Sequence, residues 1–146
     1  MKKYCYFIIL ILYLPTIAWA QNEEDKGEFY YGLLVGSYDV IGRYPDSNQT
    51  YTGKIILIKS GETLEVIRKI KNKVIRGIGK IETASADKIK VLRVRFTEHG
   101  KRYEATYLIN VDIDNYGRLT GYIYLQDGET KIPGLEALFS DHVNRK

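Results

Sequence analysis

Cysteine is almost absent from this chain of 146 residues, and the single one, Cys5, lies among the first few positions. Proline occurs three times and tryptophan once, at Trp19. The lack of cysteine excludes disulfides and a thiol nucleophile from the rest of the chain. Few prolines together with thirteen tyrosines and many β-branched residues favour β-strands.

The first twenty residues have the three parts of a secretory signal. Lys2 and Lys3 give the positive start, the run Tyr4–Ile17 is apolar, and a small-x-small site ends at Ala20. The run is shorter than the roughly 20 residues of a spanning helix, and Pro15 interrupts it. We therefore expect cleavage after Ala20, a periplasmic or secreted protein, and no membrane span.

The remaining chain has the length of one domain. We expect a signal peptide over 1–20, a polar leader over 21–33, a β domain over 34–139 and a flexible tail over 140–146. Loss of Lys2 and Lys3 lowers the formal net charge from +4 to +2. The basic pI is therefore weak support for a polyanionic partner, and nucleic acid is not expected as a partner.

Alternating segments separated by turn residues predict eight strands. They lie near 34–43, 51–59, 63–71, 73–82, 88–97, 102–112, 117–126 and 130–139. The short turns favour an antiparallel up-and-down meander, and no helix is expected after the signal. At Val91-Leu92 the alternation slips by one residue, which predicts a β-bulge.

The fold class is therefore all-β, and closure into an eight-stranded antiparallel barrel would remove the unpaired edges of the meander. Glycines within the strands, such as Gly53 and Gly121, permit the tight bends of a barrel wall. An open sheet or a sandwich with the same strand order is the structural alternative.

Six segments form a pattern made up mostly of glycines and aromatic residues: Gly36–Gly42, Pro45-Asp46, Tyr51–Lys54 with Ile58, Gly77–Gly79, Leu119–Gly121 and Gly134–Glu136. This pattern resembles that of the small exported bacterial barrels of the lipocalin and avidin kind (calycin-type barrels). Lipocalins typically have a tryptophan in the first strand, where this chain has Tyr38. The resemblance implies a binding scaffold in which Tyr38 fills the closed end of the barrel.

The interior is the first candidate site. By alternation, five residues are predicted to face inward and to bind a ligand: Tyr38, Tyr51, Arg68, Tyr103 and Tyr107. Tyrosine rings would supply contact area, and their hydroxyls would orient a ligand. The alternative is a packed core with its hydroxyls hydrogen-bonded internally. Arg68 either pairs with Glu136 or binds an anionic ligand, since a buried charge needs a partner.

A basic segment between Arg68 and Arg95 is the second candidate site. Alternation places six cations on the outer faces of three successive strands: Lys69, Lys71, Arg76, Lys80, Arg93 and Arg95. Such a patch would bind an acidic protein or an anionic envelope surface. The alternative is a solvated face that keeps the sheet soluble.

Catalytic and metal-binding patterns are weak. His99 and His142 have no suitably spaced nucleophile, acid or further ligand. The segment Asp112–Gly117 resembles part of a calcium loop but lacks its closing glutamate, so a hairpin turn is the better interpretation. We expect no enzyme activity, no cofactor and no bound metal.

Two functions follow from these patterns. The first is an exported, non-enzymatic binding protein that holds a small, partly apolar (amphipathic) ligand inside a β-barrel. The second is a protein-interaction module, of the envelope, host-matrix or inhibitor type, that acts through the basic patch.

Overall fold

The computed structural model of the chain describes residues 27–84, 88–109 and 118–141. A short helix, α1, covers residues 27–34. Eight strands follow: β1 (Gly36–Arg43), β2 (Thr50–Ser60), β3 (Thr63–Ile70), β4 (Lys73–Thr83), β5 (Lys90–Glu98), β6 (Lys101–Leu108), β7 (Arg118–Leu125) and β8 (Gly134–Ser140). The predicted signal peptide, the calcium-like turn and His142 lie outside the described residues.

The strands form a closed antiparallel barrel. Each strand pairs with the next along the chain, and β8 pairs with β1 at positions such as Val40 and Leu138. Closure satisfies the backbone groups of both terminal strands, which an open meander would leave unpaired. The predicted all-β, eight-stranded up-and-down barrel is thus confirmed, and the open sheet and the sandwich are excluded.

Alternate residues of each strand point into the barrel. In β3 the inward residues Leu64, Val66, Arg68 and Ile70 are all buried, whereas Lys69 between them is exposed. The other strands follow the same two-residue period, as expected for a sheet with one solvated face. These inward side chains form a single core.

The expectation that no helix follows the signal was wrong, because α1 covers most of the segment predicted as a polar leader over 21–33 and ends at Leu34, which was predicted to begin the first strand. Tyr31 and Leu34, three residues apart, share one face of α1 and join the core. The Tyr31 hydroxyl donates to the Glu62 carbonyl at 2.6 Å, and the Tyr38 hydroxyl donates to the Leu34 carbonyl at 2.8 Å. α1 therefore covers the end of the barrel where β1 begins, which we call the helix-covered end.

The predicted bulge at Val91-Leu92 is also absent. Pairing continues without interruption through Val91 and Leu92 to both neighbouring strands. Val91 shares the outward phase of Arg93 but is buried all the same. Val91 and Leu92 are both apolar because Val91 is buried although it points outward, and not because the register of the strand changes.

The opposite end of the barrel, which we call the mouth, is bordered by the connections at 44–49, 71–72, 99–100 and 126–133. Among the residues that the structure describes, no helix has the length and apolar character needed to cross a membrane.

Candidate functional site

Five inward-facing residues form a continuous row across five adjacent strands. Glu136 on β8 lies between Gly42 of β1 and Gly121 of β7. Beyond these glycines come Tyr51 on β2 and Tyr107 on β6. Both tyrosine hydroxyls donate hydrogen bonds to the Glu136 carboxylate, one to each oxygen.

The two glycines give the tyrosine rings the space to reach Glu136. A Cβ atom at Gly42 would lie 2.5 Å from Cζ of Tyr51 and 2.8 Å from Cγ of Glu136. A Cβ atom at Gly121 would lie 2.7 Å from Cδ1 of Tyr107. Separations this short are not tolerated, so the row requires residues without a side chain at both positions.

Arg68 reaches the same carboxylate from β3. Its Nη1 donates to Oε2 of Glu136 at 3.2 Å, its Nη2 pairs with Oε1, and both side chains are essentially inaccessible to solvent. The guanidinium also lies 4.1 Å from the centre of the Phe96 ring, a cation–π contact. Of the two roles considered for Arg68, the structure shows the internal pair with Glu136.

The network holds its charges in fixed states. Burial acts to raise the pKa of Glu136, but Arg68 and the two tyrosine hydroxyls outweigh it and hold that pKa below its ordinary value. Burial, together with the Glu136 charge, raises the pKa values of Tyr51 and Tyr107 well above the ordinary value of 10. The tyrosines therefore stay protonated and Glu136 stays ionised, so none of the three titrates near neutral pH.

The other two predicted interior residues lie apart from this network. Tyr38 is buried at the helix-covered end, where desolvation raises its pKa to about 12. Tyr103 lies near the mouth, with its ring stacked on Phe96 at 5.3 Å between centroids. All five predicted residues thus face the interior, but the structure distributes them over three levels of the barrel.

A cavity of about 420 Å³ occupies the mouth. Its lining comes from the mouth ends of strands β3 to β7 and from the connections between strands: Tyr44, Pro45, Asp46, Ser47, Gln49, Ile70, Lys71, Lys73, Glu98, His99, Lys101, Tyr103 and Leu125. Tyr103 and the half-buried Tyr44 supply its aromatic surface. Tyr44 in turn packs on Tyr51 at 4.5 Å between ring centroids, which connects the cavity to the network below.

Charges of both signs surround this mouth cavity. Lys71, Lys73 and Lys101 are exposed, and none of them forms an ion pair within the described part of the chain. Glu98 is 7% exposed and accepts a hydrogen bond from the Tyr44 hydroxyl at 3.3 Å. Burial and the Glu98 charge raise the pKa of Tyr44 to about 12, so this hydroxyl keeps its proton at neutral pH.

The basic segment is interleaved with acids from neighbouring strands. Arg95 pairs with Glu82 at 2.7 Å and with Glu104 at 2.8 Å, while Arg93 lies 3.4 Å from Glu82. Hydrogen bonding to Arg95 lowers the pKa of Glu82, which favours its ionised form. These arginines lie on an outer face whose charge is largely compensated.

The other four members of the predicted basic patch are exposed. Arg76 on β4 pairs with Glu65 on the neighbouring strand β3. Lys69 and Lys80 lie on the outer faces of β3 and β4. Lys71 was predicted within a strand but lies in the β3–β4 turn with a φ of 54°, and there it borders the mouth cavity.

Sequence reasoning missed Tyr44 and Glu98. Glu98 continues the inward phase of Leu92, Val94 and Phe96, so alternation alone would have identified it. Tyr44 directly follows β1 in a connection, where no periodicity applies, and only the tertiary structure brings it to Glu98.

Within the described ranges, no three histidine, cysteine or acidic residues are close enough together to hold a metal ion. No protein-family model matches the chain, and a search of curated proteins found no match.

Proposed function

We propose that the protein is an exported, non-enzymatic binding protein that takes a small, partly apolar anion at the mouth of its barrel. The observation that carries this proposal is the mouth cavity, with its tyrosine floor and three lysines that have no carboxylate partner among the described residues. The closed eight-stranded barrel is compatible with a calycin-type fold. Membership of the lipocalin and avidin group and release into the periplasm or medium belong to the same proposal.

The floor suits a ring or another flat apolar group. Tyr103 is held by stacking on Phe96, and Tyr44 by packing on Tyr51, so both rings are positioned before a ligand arrives. Rigid aromatic side chains lose little conformational entropy on binding and offer a large contact area. The volume of about 420 Å³ lies within the range of small-molecule sites.

The rim favours a negative group on the outer side of the ligand. Lys71 and Lys101 can approach an anion without breaking an existing ion pair. Deeper in the cavity, the Glu98 carboxylate can accept a hydrogen bond from a hydroxyl or N–H of the ligand. Arg68 lies below this level and already has Glu136 as its counter-ion, so it plays no part in binding the anion.

The proposal is tested with a matched pair of fluorescent probes, 8-anilinonaphthalene-1-sulfonate and the uncharged N-phenyl-1-naphthylamine. The sulfonate should bind saturably to the folded protein, and the uncharged probe about tenfold more weakly, a difference of roughly 1.4 kcal/mol. The double variant Lys71→Glu/Lys101→Glu should weaken sulfonate binding by about tenfold or more. The same variant should leave binding of the uncharged probe nearly unchanged.

The control is Lys69→Glu/Lys80→Glu, an equal change of charge on the outer wall. It should leave the affinity for the sulfonate within about twofold of the unmodified protein, because exposed charges at a distance are screened by salt. No saturable binding of the sulfonate, or an equal loss of affinity in both double variants, would overturn the mouth as the site.

A further inference from the structure

We propose that a second copy of this chain docks on the outer face of β6, β7, β8 and β1, so that the protein forms a two-fold dimer. The surface concerned is the apolar wall, defined by Ile41, Leu108, Tyr122, Tyr124, Leu135 and Phe139. This inference does not depend on the mouth cavity, which lies at one end of the barrel and not on its side.

The six side chains point away from the core and remain open to solvent. On β8, Leu135 and Phe139 alternate with the buried Glu136 and Leu138, so they cannot contribute to the interior. The exposed fractions of the six range from 38% for Leu108 to 54% for Tyr122. Contiguous apolar surface of this kind is rare on monomers and marks interaction sites.

Charge is distributed unevenly around the barrel. The outer face of β3–β5 is crossed by ion pairs such as Arg76–Glu65 and Arg95–Glu82. Across the centre of the apolar wall, the positions between the large side chains are small and uncharged, namely Thr106, Thr120 and Ala137. The arginines Arg43 and Arg118 lie at its edges, opposite Leu135 and Phe139. A face meant for water would resemble β3–β5, so the wall has the composition of the core of an interface.

The apolar wall has both a groove and exposed rings that could fill the same groove on a second copy. A groove of about 720 Å³ runs over its centre, and its lining includes Thr106, Thr120 and Ala137. The rings of Tyr122, Tyr124 and Phe139 are at least two-fifths exposed. A two-fold interface uses one patch on both subunits, so that patch must supply knobs as well as holes.

The size and the border charges of the wall also fit a second copy. Six large side chains, each about half exposed, present roughly 600 Å², and the threonines beside them bring this close to the ~800 Å² per partner of a standard interface. Charges of both signs border the wall. Asp39 and Lys54 are paired at 2.8 Å at one end, and towards the other end lie Glu104, next to Tyr124, and Arg43, next to Leu135. Two copies of the wall can therefore face each other without bringing charges of only one sign together.

Sedimentation velocity of the full mature protein over a wide concentration range tests the dimer. The unmodified protein should sediment with the mass of a dimer, and Tyr122→Glu should weaken self-association by about hundredfold or more. Leu135→Glu, at the cross-strand partner of Tyr122, should act in the same way. Both positions are exposed, so circular dichroism and the midpoint of thermal unfolding should show that the variants remain folded.

The matched control is Ile78→Glu. Ile78 is exposed to a similar extent, 58%, but lies on the outer face of β4. This variant should retain the dimer. A monomeric unmodified protein at every concentration overturns the proposal, even if it then captures some other protein. A dimer that survives both wall variants, or that Ile78→Glu dissociates, overturns it equally.

Discussion

At the scale of single residues, the buried Glu136 carboxylate is the group in the barrel that depends most on its hydrogen-bond and charge partners. It is fully enclosed, and its ionised form depends on Arg68 and on two tyrosine hydroxyls. An ion pair in such surroundings repays its own desolvation only when the geometry is complete. Removal of one member leaves the other charged, buried and without a counter-ion.

Substitution Glu136→Gln should therefore lower the free energy of unfolding by about 3–5 kcal/mol. The amide preserves the size of the side chain but leaves the Arg68 charge uncompensated. Urea denaturation followed by circular dichroism measures the loss. The comparison is Glu104→Gln, which removes a partner of Arg95 on the solvated face and should cost about 0–1 kcal/mol. Equal losses for the two variants would contradict this account of the network.

Alternation in the sequence was sufficient to place Arg68, Glu136 and the interior tyrosines inside the barrel. Alternation could not predict that these side chains contact one another, because the neighbours of a residue across the sheet depend on the register between strands. Gly42 and Gly121 became meaningful only when the pairing showed that both flank Glu136. Sequence periodicity defines faces, whereas contact between particular side chains depends on how distant strands align.

At the scale of elements, α1 is the part of the fold that the sequence patterns did not predict. Residues 27–34 include Gly27 and Gly32, which disfavour an isolated helix. Docking of Tyr31 and Leu34 against the barrel compensates for that low propensity. Short helices generally derive their stability from such packing.

The adjacent residues Leu33 and Leu34 provide a matched test of this docking. Leu34 is 2% exposed and belongs to the core, while Leu33 is 36% exposed. Leu34→Ala should lower the free energy of unfolding by about 2–5 kcal/mol, since it removes buried surface and leaves a cavity. Leu33→Ala should change it by less than about 0.5 kcal/mol. Similar losses in urea denaturation would show that α1 does not dock through Leu34.

At the scale of the whole molecule, the number of strands and their order followed from the sequence because hairpins are local. The mouth cavity did not follow from the sequence, since its lining combines connections and strand ends that are far apart along the chain, such as Tyr44 and Glu98. Hairpin turns leave local signals in the sequence, but the convergence of four loops at one end of a barrel leaves none. For the same reason, the opposing acids Glu65 and Glu104 were missed when the basic segment was considered alone.

Acid should destabilise the folded barrel in a way that depends on Glu136. Its pKa in the folded protein lies below the ordinary value of 4.5, so its contribution to stability is complete above about pH 4.5. That contribution should disappear as the pH falls through the folded pKa. Urea denaturation at a series of pH values from about 7 to about 2 should show a shallower acid decline for Glu136→Gln. Parallel declines in the two proteins would mean that other carboxyls determine acid unfolding.

The pairing of β1 with β8 also has a kinetic side. Every other strand pair closes a short loop, but this seam joins positions about 100 residues apart, so its loop-closure entropy is the largest in the barrel. We expect the seam to form late in folding. Glu136 lies on β8, whereas Arg68 and Tyr51 lie in the earlier β2–β3 hairpin. We therefore expect the Glu136 carboxylate to remain hydrated until β8 pairs with β1. Closure of the barrel and burial of this charge would then occur in the same step, both in folding and in unfolding.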